Sequence, residues 1–425
     1  MSEPTTRAAV EAVWRIESTK LIAGLTRMVG DLGMAEDLAQ DAMVLALEKW
    51  PESGVPDNPG AWLMAAAKRR ALDHFRRDRM LERKHAELTR QLEDELHSPE
   101  SSPDVVLDTA LDDVIGDDVL RLAFMTCHPV LAMEARVALT LRLLGGLGTE
   151  EIARAFLTPV PTIQQRIVRA KRTLKESRVP FELPPPAELG ERLDSVLGVI
   201  YLVFNEGYSA TAGEDWIRPE LCEDALRLGR ILAALAPREP EVHGLVSLME
   251  LQASRLRARR GADGEPILLM DQDRSRWDRL LVRRGLDALA RAESLQRPLG
   301  PYAIQAAIAA CHARADSPGD TDWKAIVALY DALGQIAPSP VVELNRAVAI
   351  GMAFGPAAGL ELVDELADEP ALRAYHWLPS VRGDLLAKLG RTEEARAEFE
   401  RAAFLTQNLR EREMLLARVR ASERR

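Results

Sequence analysis

A polar segment followed by a basic one lies between residues 161 and 178. Its candidate functional residues are Thr162, Gln164, Gln165, Arg166, Arg169, Lys171 and Arg172. Amide and guanidinium groups form paired hydrogen bonds with base edges, whereas dense cations neutralise phosphates. The order therefore indicates nucleic-acid binding, with base contacts from Thr162 to Arg166 and backbone contacts from the later cations.

The surrounding residues predict the scaffold that positions this segment. Thr149 is a plausible N-cap of a first helix, and the turn at 157–160 ends that helix, because a proline ring excludes helical geometry just upstream. Pro161 then suits the start of a second helix. Its inward side is predicted to carry Ile163, Ile167, Val168 and Leu174. The pattern favours a helix-turn-helix with a major-groove recognition helix. An ordinary helical hairpin with a solvated basic face is the alternative.

The charge of the chain is unevenly distributed. The 425 residues carry a formal net charge of −11, yet residues 86–118 alone hold eleven acids against Arg90. Residues 68–85 are basic, with eight cations against three acids. Two basic segments therefore flank an acidic one, and the average charge hides a pattern that suits DNA.

Composition bounds the class of protein. Alanine, leucine and arginine dominate and aromatic residues make up 5%, which predicts an all-α fold. Cys127, Cys222 and Cys311 match no disulfide framework, and Cys127-His128 is read as packing. No apolar run approaches the roughly 18–20 residues that cross a membrane. We expect a cytoplasmic protein without membrane insertion, cofactor, metal site or enzymatic motif.

The N-terminal third divides into short helices. Apolar spacing predicts helices over 7–30, with Ile16 among the inward residues, 34–50 and 61–79, with a proline-rich loop at 51–60. Residues 86–118 resemble a flexible acidic tether. The predicted domains are 1–85, an acidic linker at 86–118, a helical domain at 119–182 and a helical array at 183–425.

One tetratricopeptide unit is predicted within the array, at 383–405. Gly383, Ala395, Phe399 and Ala402 lie at the spacing where two helices of such a unit touch. Residues 344–366 resemble a degenerate copy about 35 residues earlier. A solenoid-like helical extension is therefore expected.

Taken together, residues 1–182 resemble a bacterial extracytoplasmic-function sigma factor of the sigma-70 family. MAEDLAQDAMVLALEKW (34–50) resembles the core-polymerase-binding helix, AWLMAAAKRRALDHFRR (61–77) the −10 helix, and residues 148–174 the −35 helix-turn-helix. The remainder, with YLVFNEGYSA (201–210) and DQDRSRWD (271–278), resembles a subgroup that carries a long helical C-terminal extension. Pro161 departs from the common family pattern, but a proline is tolerated at a helix start. The run at 68–70 also departs from that pattern, so the −10 preference is not carried over.

This resemblance implies binding to core RNA polymerase, through the clamp of its largest catalytic subunit, and to promoter DNA. The implied polymerase contacts are Asp37, Leu38, Gln40 and Asp41; a solvated helix face is the alternative. The implied −10 residues are Asn58, Trp62, Lys68, Arg69, Arg70, Arg76 and Arg77. Asn58 is the better candidate for reading a flipped base, because a tryptophan in this place is commonly core.

The extension would control activity in cis, through docking or through a protein or small-molecule regulator. Its distinctive polar residues are Asn205, Glu206, Tyr208, Asp271, Asp273, Arg274 and Trp277. These residues form either a ligand site or caps and buried hydrogen bonds, with Asp271 or Asp273 capping a helix that begins near Ser275. A competing reading of the whole chain is a tetratricopeptide-like scaffold that docks on polymerase without recognising a promoter.

Overall fold

A computed structural model describes residues 3–78, 118–156, 158–185, 187–210, 216–261 and 264–422. In these ranges the regular elements are helices, apart from an isolated bridge between Arg260 and Pro266. The chain forms two compact units, Met1–Val199 and Ile200–Arg425. The predicted all-helical architecture is confirmed for the described residues.

The N-terminal unit begins with three helices, α1 (Glu3–Val29), α2 (Leu32–Ser53) and α3 (Pro59–Asp78). Asp31 caps α2 by accepting a hydrogen bond from the backbone N–H of Met34 at 3.0 Å. Helices α1 and α2 pack together and α3 packs on both, with Leu25 and Trp50 buried between them. The predicted helices are found within a few residues of their expected ends. Ile16, predicted to point inward, is instead 67% exposed.

Four further helices of the N-terminal unit follow the acidic region. They are α4 (118–126), α5 (Met133–Leu143), α6 (Thr149–Ala155) and α7 (Val160–Glu176). Most of the predicted acidic linker lies outside the described residues. Asp118 is described, and it begins α4 as a buried side chain that pairs with Arg27 at 2.9 Å and Arg121 at 2.7 Å. The predicted linker therefore includes one residue that belongs to the packed unit.

Helix α8 (Leu189–Tyr208) contains the division between the units, whereas the sequence placed the boundary at 182/183. The first half of α8 packs within the N-terminal unit. Ser195 donates to the carbonyl of Cys127 at 2.7 Å, and Arg192 donates to the carbonyl of Phe124 at 2.8 Å. Cys127 is fully buried, and burial raises the pKa of its thiol. Its interpretation as a packing residue is confirmed.

The C-terminal unit is an array of consecutive helices. Their bounds are α9 (Pro219–Leu235), α10 (Pro240–Ala253), α11 (Arg279–Ser294), α12 (Pro301–Arg314), α13 (Trp323–Ile336), α14 (Pro340–Phe354), α15 (Pro356–Glu365), α16 (Trp377–Lys388), α17 (Thr392–Leu405) and α18 (Leu409–Ser422). Neighbouring helices along the chain pack together from α9 onward. This is the arrangement expected when each helix buries its apolar stripe against the next.

The predicted tetratricopeptide unit coincides with α16 and α17. A Cβ atom at Gly383 would lie 2.8 Å from the ring of Phe399, so the two helices approach closely at this point. Ala395, Phe399 and Ala402 are buried in the same cluster. The two helices and their contact lie where the sequence placed them, and the assignment to the tetratricopeptide class stays a prediction.

Candidate nucleic-acid interface

A short helix and a turn position the recognition helix α7. The backbone N–H of Gly148 donates to the carboxylate of Glu151 at 2.6 Å, so Gly148 rather than Thr149 precedes the first helical turn of α6. After α6 ends, Pro161 lies in the first turn of α7, as predicted. Ile163 and Leu174 anchor α7 to the interior, with 1% and 3% of their surface exposed. The helix-turn-helix geometry thus follows from a capped first helix and a proline-started second one.

The outer face of α7 carries most of the predicted DNA-reading residues. The side chains that the structure exposes are Gln164, Gln165, Arg169 and Arg172. Thr162 and Arg166 are half-buried. Val168, predicted to point inward, is 65% exposed and lies on the outer side. An exposed apolar side chain there can contact a thymine methyl group, so the outer face combines polar, cationic and apolar contacts.

Lys171 occupies a different environment from its predicted one. Its ammonium pairs with the carboxylate of Glu36 in α2, and the guanidinium of Arg142 donates to the same carboxylate at 2.9 Å. Glu36 is 3% exposed, so this is a buried acid held by two cations. Burial alone would raise the pKa of Glu36, but Lys171 and Arg142 outweigh it and lower that pKa. Lys171 is therefore directed at α2 rather than at the exposed face.

A second ion pair also joins α7 to the residues that begin α2. Lys175 pairs with Asp31 at 2.6 Å, and Asp31 is the residue that caps α2. Burial acts to raise the pKa of Asp31, but its hydrogen bonds with Lys175 and Met34 lower it overall. Asp31 raises the pKa of Lys175 in return. The last turns of the recognition helix are thus tied to α2 by two acid–base contacts.

The start of α3 carries the predicted base-flipping residues. Asn58 is exposed and its Oδ1 accepts the backbone N–H of Ala61 at 3.0 Å, which is a cap of α3. Trp62 is half-buried and packs edge-to-face on Trp50, with ring centroids 5.4 Å apart. Trp62 is thus partly packed and partly exposed, and its role at the −10 element stays a prediction. Asn58 combines a capping role with an exposed amide.

In the basic part of α3, the structure describes the side chains of the first three cations. Arg69 and Arg70 are exposed and Lys68 is half-buried. The guanidinium of Arg70 lies 3.5 Å from the carboxylate of Asp41 in α2. Arg76 and Arg77 belong to the helix, but their side chains lie outside the described set.

The predicted polymerase contacts on α2 separate into surface and interior residues. Asp37 and Asp41 are exposed, and Gln40 is half-buried and donates to Glu36 at 3.0 Å. Leu38 is only 6% exposed, because it faces the helices that pack on α2. Leu38 therefore supplies no apolar centre to this surface of α2, where Val44, 50% exposed, is the apolar side chain beside Asp37 and Asp41.

Among the distinctive residues of the extension, the structure brings only some together. Arg255 donates to the hydroxyl of Tyr208 and lies over the ring of Trp277. Arg274 lies over the same Trp277 ring. Glu206 instead pairs with Arg218 at 2.6 Å, and Asn205 hydrogen-bonds Tyr201. The contacts of Glu206 and Asn205 fit the hydrogen-bonding role that the sequence predicts as the alternative to a ligand site.

The acids of DQDRSRWD act mainly as caps. Asp273 accepts the backbone N–H of Ser275 at 2.9 Å and caps a single 3-10 turn. Helix α11 begins later than predicted, at Arg279, and Asp278 caps it through the N–H groups of Leu280 and Leu281. Asp271 is exposed and ends the preceding 3-10 turn.

Two sets of residues escaped the sequence reasoning. Glu36 reads as one more polar residue of an amphipathic helix, and only the tertiary structure, which brings Arg142 of α5 and Lys171 of α7 to it, makes it a buried ion-pair centre. The arginine run at 255–260 was visible, with Arg255, Arg257, Arg259 and Arg260. Four arginines within six residues indicate a cationic site, but they were not singled out from the sequence because they lie inside a long predicted helical array.

None of the described helices is long and apolar enough to span a membrane. The described part of the chain also holds no group of three or more histidine, cysteine, aspartate and glutamate side chains placed to bind a metal ion.

Comparisons with known domains agree with this geometry. Residues 17–80 match Sigma-70 region 2, and residues 121–174 match Sigma-70, region 4. Residues 192–293 match a family of unknown function, DUF6596. No solved structure matches the chain. A region 2 helical domain followed by a region 4 helix-turn-helix defines a transcription-initiation factor of the sigma-70 class.

Comparison with whole proteins completes the assignment. An uncharacterized protein of Rhizobium meliloti is 43% identical over 390 residues, covering 92% of this chain and 90% of that protein. A probable ECF RNA polymerase sigma factor SigI of Mycobacterium tuberculosis is 32% identical over 179 residues, and the match covers 41% of this chain and 58% of SigI. ECF RNA polymerase sigma factor SigK of Mycobacterium ulcerans is 28% identical over 161 residues, covering 37% of this chain and 79% of SigK. The chain belongs to the family of the Rhizobium protein and is a sigma-70 factor of the extracytoplasmic-function type.

Proposed function

We propose that the chain binds core RNA polymerase through α2 and recognises promoters through α7 at the −35 element and α3 at the −10 element. The observation that carries this proposal is the outer face of α7, where Gln164, Gln165, Arg169 and Arg172 are exposed while Ile163 and Leu174 anchor the helix. A helix held in this way can enter a major groove and present its N-terminal half to base edges.

The division of labour within the interface follows from side-chain chemistry. Gln164 and Gln165 offer the amide pairs that read adenine, and Arg166 offers the fork that reads guanine. Arg169 and Arg172 hold phosphates, and Arg69 and Arg70 do the same beside the melting strands. Asn58 contacts a base extruded from the duplex near the −10 element. On α2, Asp37, Gln40 and Asp41 contact the clamp of the largest polymerase subunit.

The C-terminal helical array, in this proposal, modulates the sigma activity in cis. Its support is the fusion itself: the R. meliloti relative matches this chain over both the sigma domains and most of the array. An array of packed helices offers an extended surface for a protein or a smaller ligand.

Reconstituted transcription tests the proposal. Purified full-length protein and core polymerase are offered a randomised promoter library, and runoff transcripts are sequenced. We expect transcripts from promoters that share a −35 and a −10 element. Core binding without any transcript from the library would favour the scaffold reading instead.

A shortened form tests control by the extension. A chain that ends after Ser209 keeps all of α8, including the contacts of Arg192 and Ser195. We expect its transcript yield to differ from that of the full chain while the selected promoter sequences stay the same. A change in the selected sequences would mean that the array contacts DNA.

A further inference from the structure

Three guanidinium groups lie close together in the C-terminal unit, around the aromatic residues of α8 and the loop after α10. Arg259 is 8% exposed, and its guanidinium lies 3.6 Å from the ring centroid of Tyr208 and 4.3 Å from that of Trp216. It also donates to the backbone carbonyl of Tyr208. Arg255 donates to the hydroxyl of Tyr208 at 2.7 Å. Stacking on aromatic faces stabilises these cations but adds no negative charge.

The third member, Arg274, is 7% exposed and bonded only to neutral acceptors. Its guanidinium donates to the carbonyls of His312 at 2.7 Å and Ala315 at 2.6 Å. Arg255 and Arg274 both lie over Trp277, at 5.7 Å and 5.1 Å from its ring centroid. Trp277 therefore joins two of the three cations.

None of the three arginines forms an ion pair with an acidic residue of the described chain. The negative charge of Glu411 acts to raise the pKa of Arg259, and that of Asp320 acts to raise the pKa of Arg274. Each of these two acids forms its hydrogen bonds with other residues. Burial lowers the pKa of Arg259, and the charge of Arg255 lowers it further. Burial and the charges of Arg255 and Arg274 also lower the pKa of His312 to about 4, so this histidine adds no positive charge at neutral pH. Buried positive charge without an anion is costly, and an anion bound close to the cluster would offset part of that cost.

A cavity of about 1060 Å³ is open to solvent and meets this cluster at Trp277, whereas Arg255, Arg259 and Arg274 themselves lie outside its lining. Trp277 lines it, is 4% exposed, and has an indole N–H without an acceptor in the part of the chain that the structure describes. Cys222 also lines the cavity and lies within the electrostatic influence of Arg259. The exposed arginines of its lining are Arg257, Arg260, Arg276 and Arg279. Asp278, one of two lining acids, is committed to the cap of α11.

We propose that this cavity binds a small organic anion whose carboxylate or phosphate group meets the exposed arginines of the lining and whose flat, apolar body packs against Trp277. Guanidinium forks match both kinds of oxyanion, and an aromatic wall favours a planar ligand. The site lies within residues 192–293, the segment that matches a family of unknown function. The proposal concerns this segment alone and does not depend on promoter recognition.

Fluorescence titration of the full-length chain tests the site. The probe is 1-anilinonaphthalene-8-sulfonate, an anion with an aromatic body, and its uncharged analogue N-phenyl-1-naphthylamine is the control ligand. We expect one saturable site for the anion and at least tenfold weaker binding of the neutral analogue. Equal binding of the two probes would show a merely apolar surface and overturn the proposal.

Matched variants locate the binding. Arg257→Ala and Arg276→Ala each remove one exposed cation from the cavity, whereas Arg283→Ala removes one exposed cation from α11 outside it. Each cavity variant is expected to lower the affinity for the anionic probe roughly tenfold, the usual effect of losing a hydrogen bond to a charged group. The control variant should leave binding unchanged, and circular dichroism should show equal helix content in all three. Equal affinities in all three variants would contradict the assignment.

Competition identifies the source of the anion. Benzoate and phenyl phosphate are each titrated against the bound probe, with a short DNA duplex as a third competitor. Displacement by benzoate alone identifies a carboxylate ligand, and displacement by phenyl phosphate alone identifies a phosphate ester. Displacement by the duplex but by neither small anion would overturn the proposal in favour of a nucleic-acid surface.

Discussion

The ammonium of Lys171 in the recognition helix pairs with the carboxylate of Glu36 in the proposed polymerase-binding helix. Glu36 is 3% exposed, and Arg142 donates to the same carboxylate at 2.9 Å. One buried acid therefore connects α2, α5 and α7. In this arrangement Lys171 serves the packing of the N-terminal unit, and Arg169 and Arg172 remain the cations of α7 that we propose to contact phosphates.

Variants of the buried Glu36 and of its exposed neighbour Asp37 should have separate effects, the first on stability and the second on polymerase binding. Glu36→Gln leaves Lys171 and Arg142 without their shared anion. We expect the free energy of unfolding to fall by about 3 kcal/mol, the low end for a broken buried pair, because both cations are partly exposed. Asp37→Asn, at an exposed position, should change it by less than about 0.5 kcal/mol and should weaken core binding instead. Urea unfolding of the full chain and a core-binding titration measure the two effects. An unchanged urea midpoint in Glu36→Gln would contradict the ion-pair assignment.

The same acid makes stability depend on pH in a defined direction. Lys171 and Arg142 lower the pKa of Glu36 below its ordinary value of 4.5, against the opposing effect of burial. A lowered folded-state pKa means that the ion pairs contribute fully above about pH 4.5 and are lost as the pH falls through the folded pKa. We expect the difference in urea midpoint between wild type and Glu36→Gln to stay constant from pH 7 to 5.5. It should shrink below pH 4.5, and a difference that grows there would be the wrong sign.

Base choice at the −35 element should depend on the first half of α7. Replacing Gln165 and Arg166 by alanine removes two candidate base contacts, each worth about 1–3 kcal/mol of discrimination. We expect a changed −35 preference with core binding intact, measured by selection from a promoter library. Arg172→Ala is the matched control on the same helix. It should weaken all promoters alike and reduce the salt slope of binding by about one. Lost core binding in the double variant would contradict this division.

The close contact between α16 and α17 can be tested at Gly383. An alanine there gains roughly 1 kcal/mol of helix propensity, but its Cβ would lie 2.8 Å from the ring of Phe399, which is 3% exposed and has little room to move. We expect overpacking to win and to lower the free energy of unfolding by about 1–2 kcal/mol. Gly319→Ala is the control, because its Cβ would have no neighbour closer than 3.7 Å. Thermal unfolding of both variants measures the difference, and a more stable Gly383→Ala would show a looser helix pair.

Local patterns were sufficient for much of the N-terminal unit. The proline at 161 and the apolar spacing of Ile163, Ile167 and Leu174 predicted α7, because helical periodicity and the geometry of proline act within a few residues. The same reasoning put Val168 on the inward side. It failed because a single valine beside the stripe can face either way, and only the packing of α5 and α6 on α7 decides which.

Amino-acid order by itself determined the helical class, the helix-turn-helix and the order of basic and acidic segments. The tertiary structure decided which charges meet. Lys171 and Glu36 are 135 positions apart, and Arg255 and Arg274 come together around Trp277 through a loop whose course no periodicity encodes. The physical reason is that helix formation depends on neighbours along the chain, whereas burial and ion pairing depend on which faces pack together. The predicted DNA-reading face could therefore be read from the sequence, and the arginine-lined cavity could not.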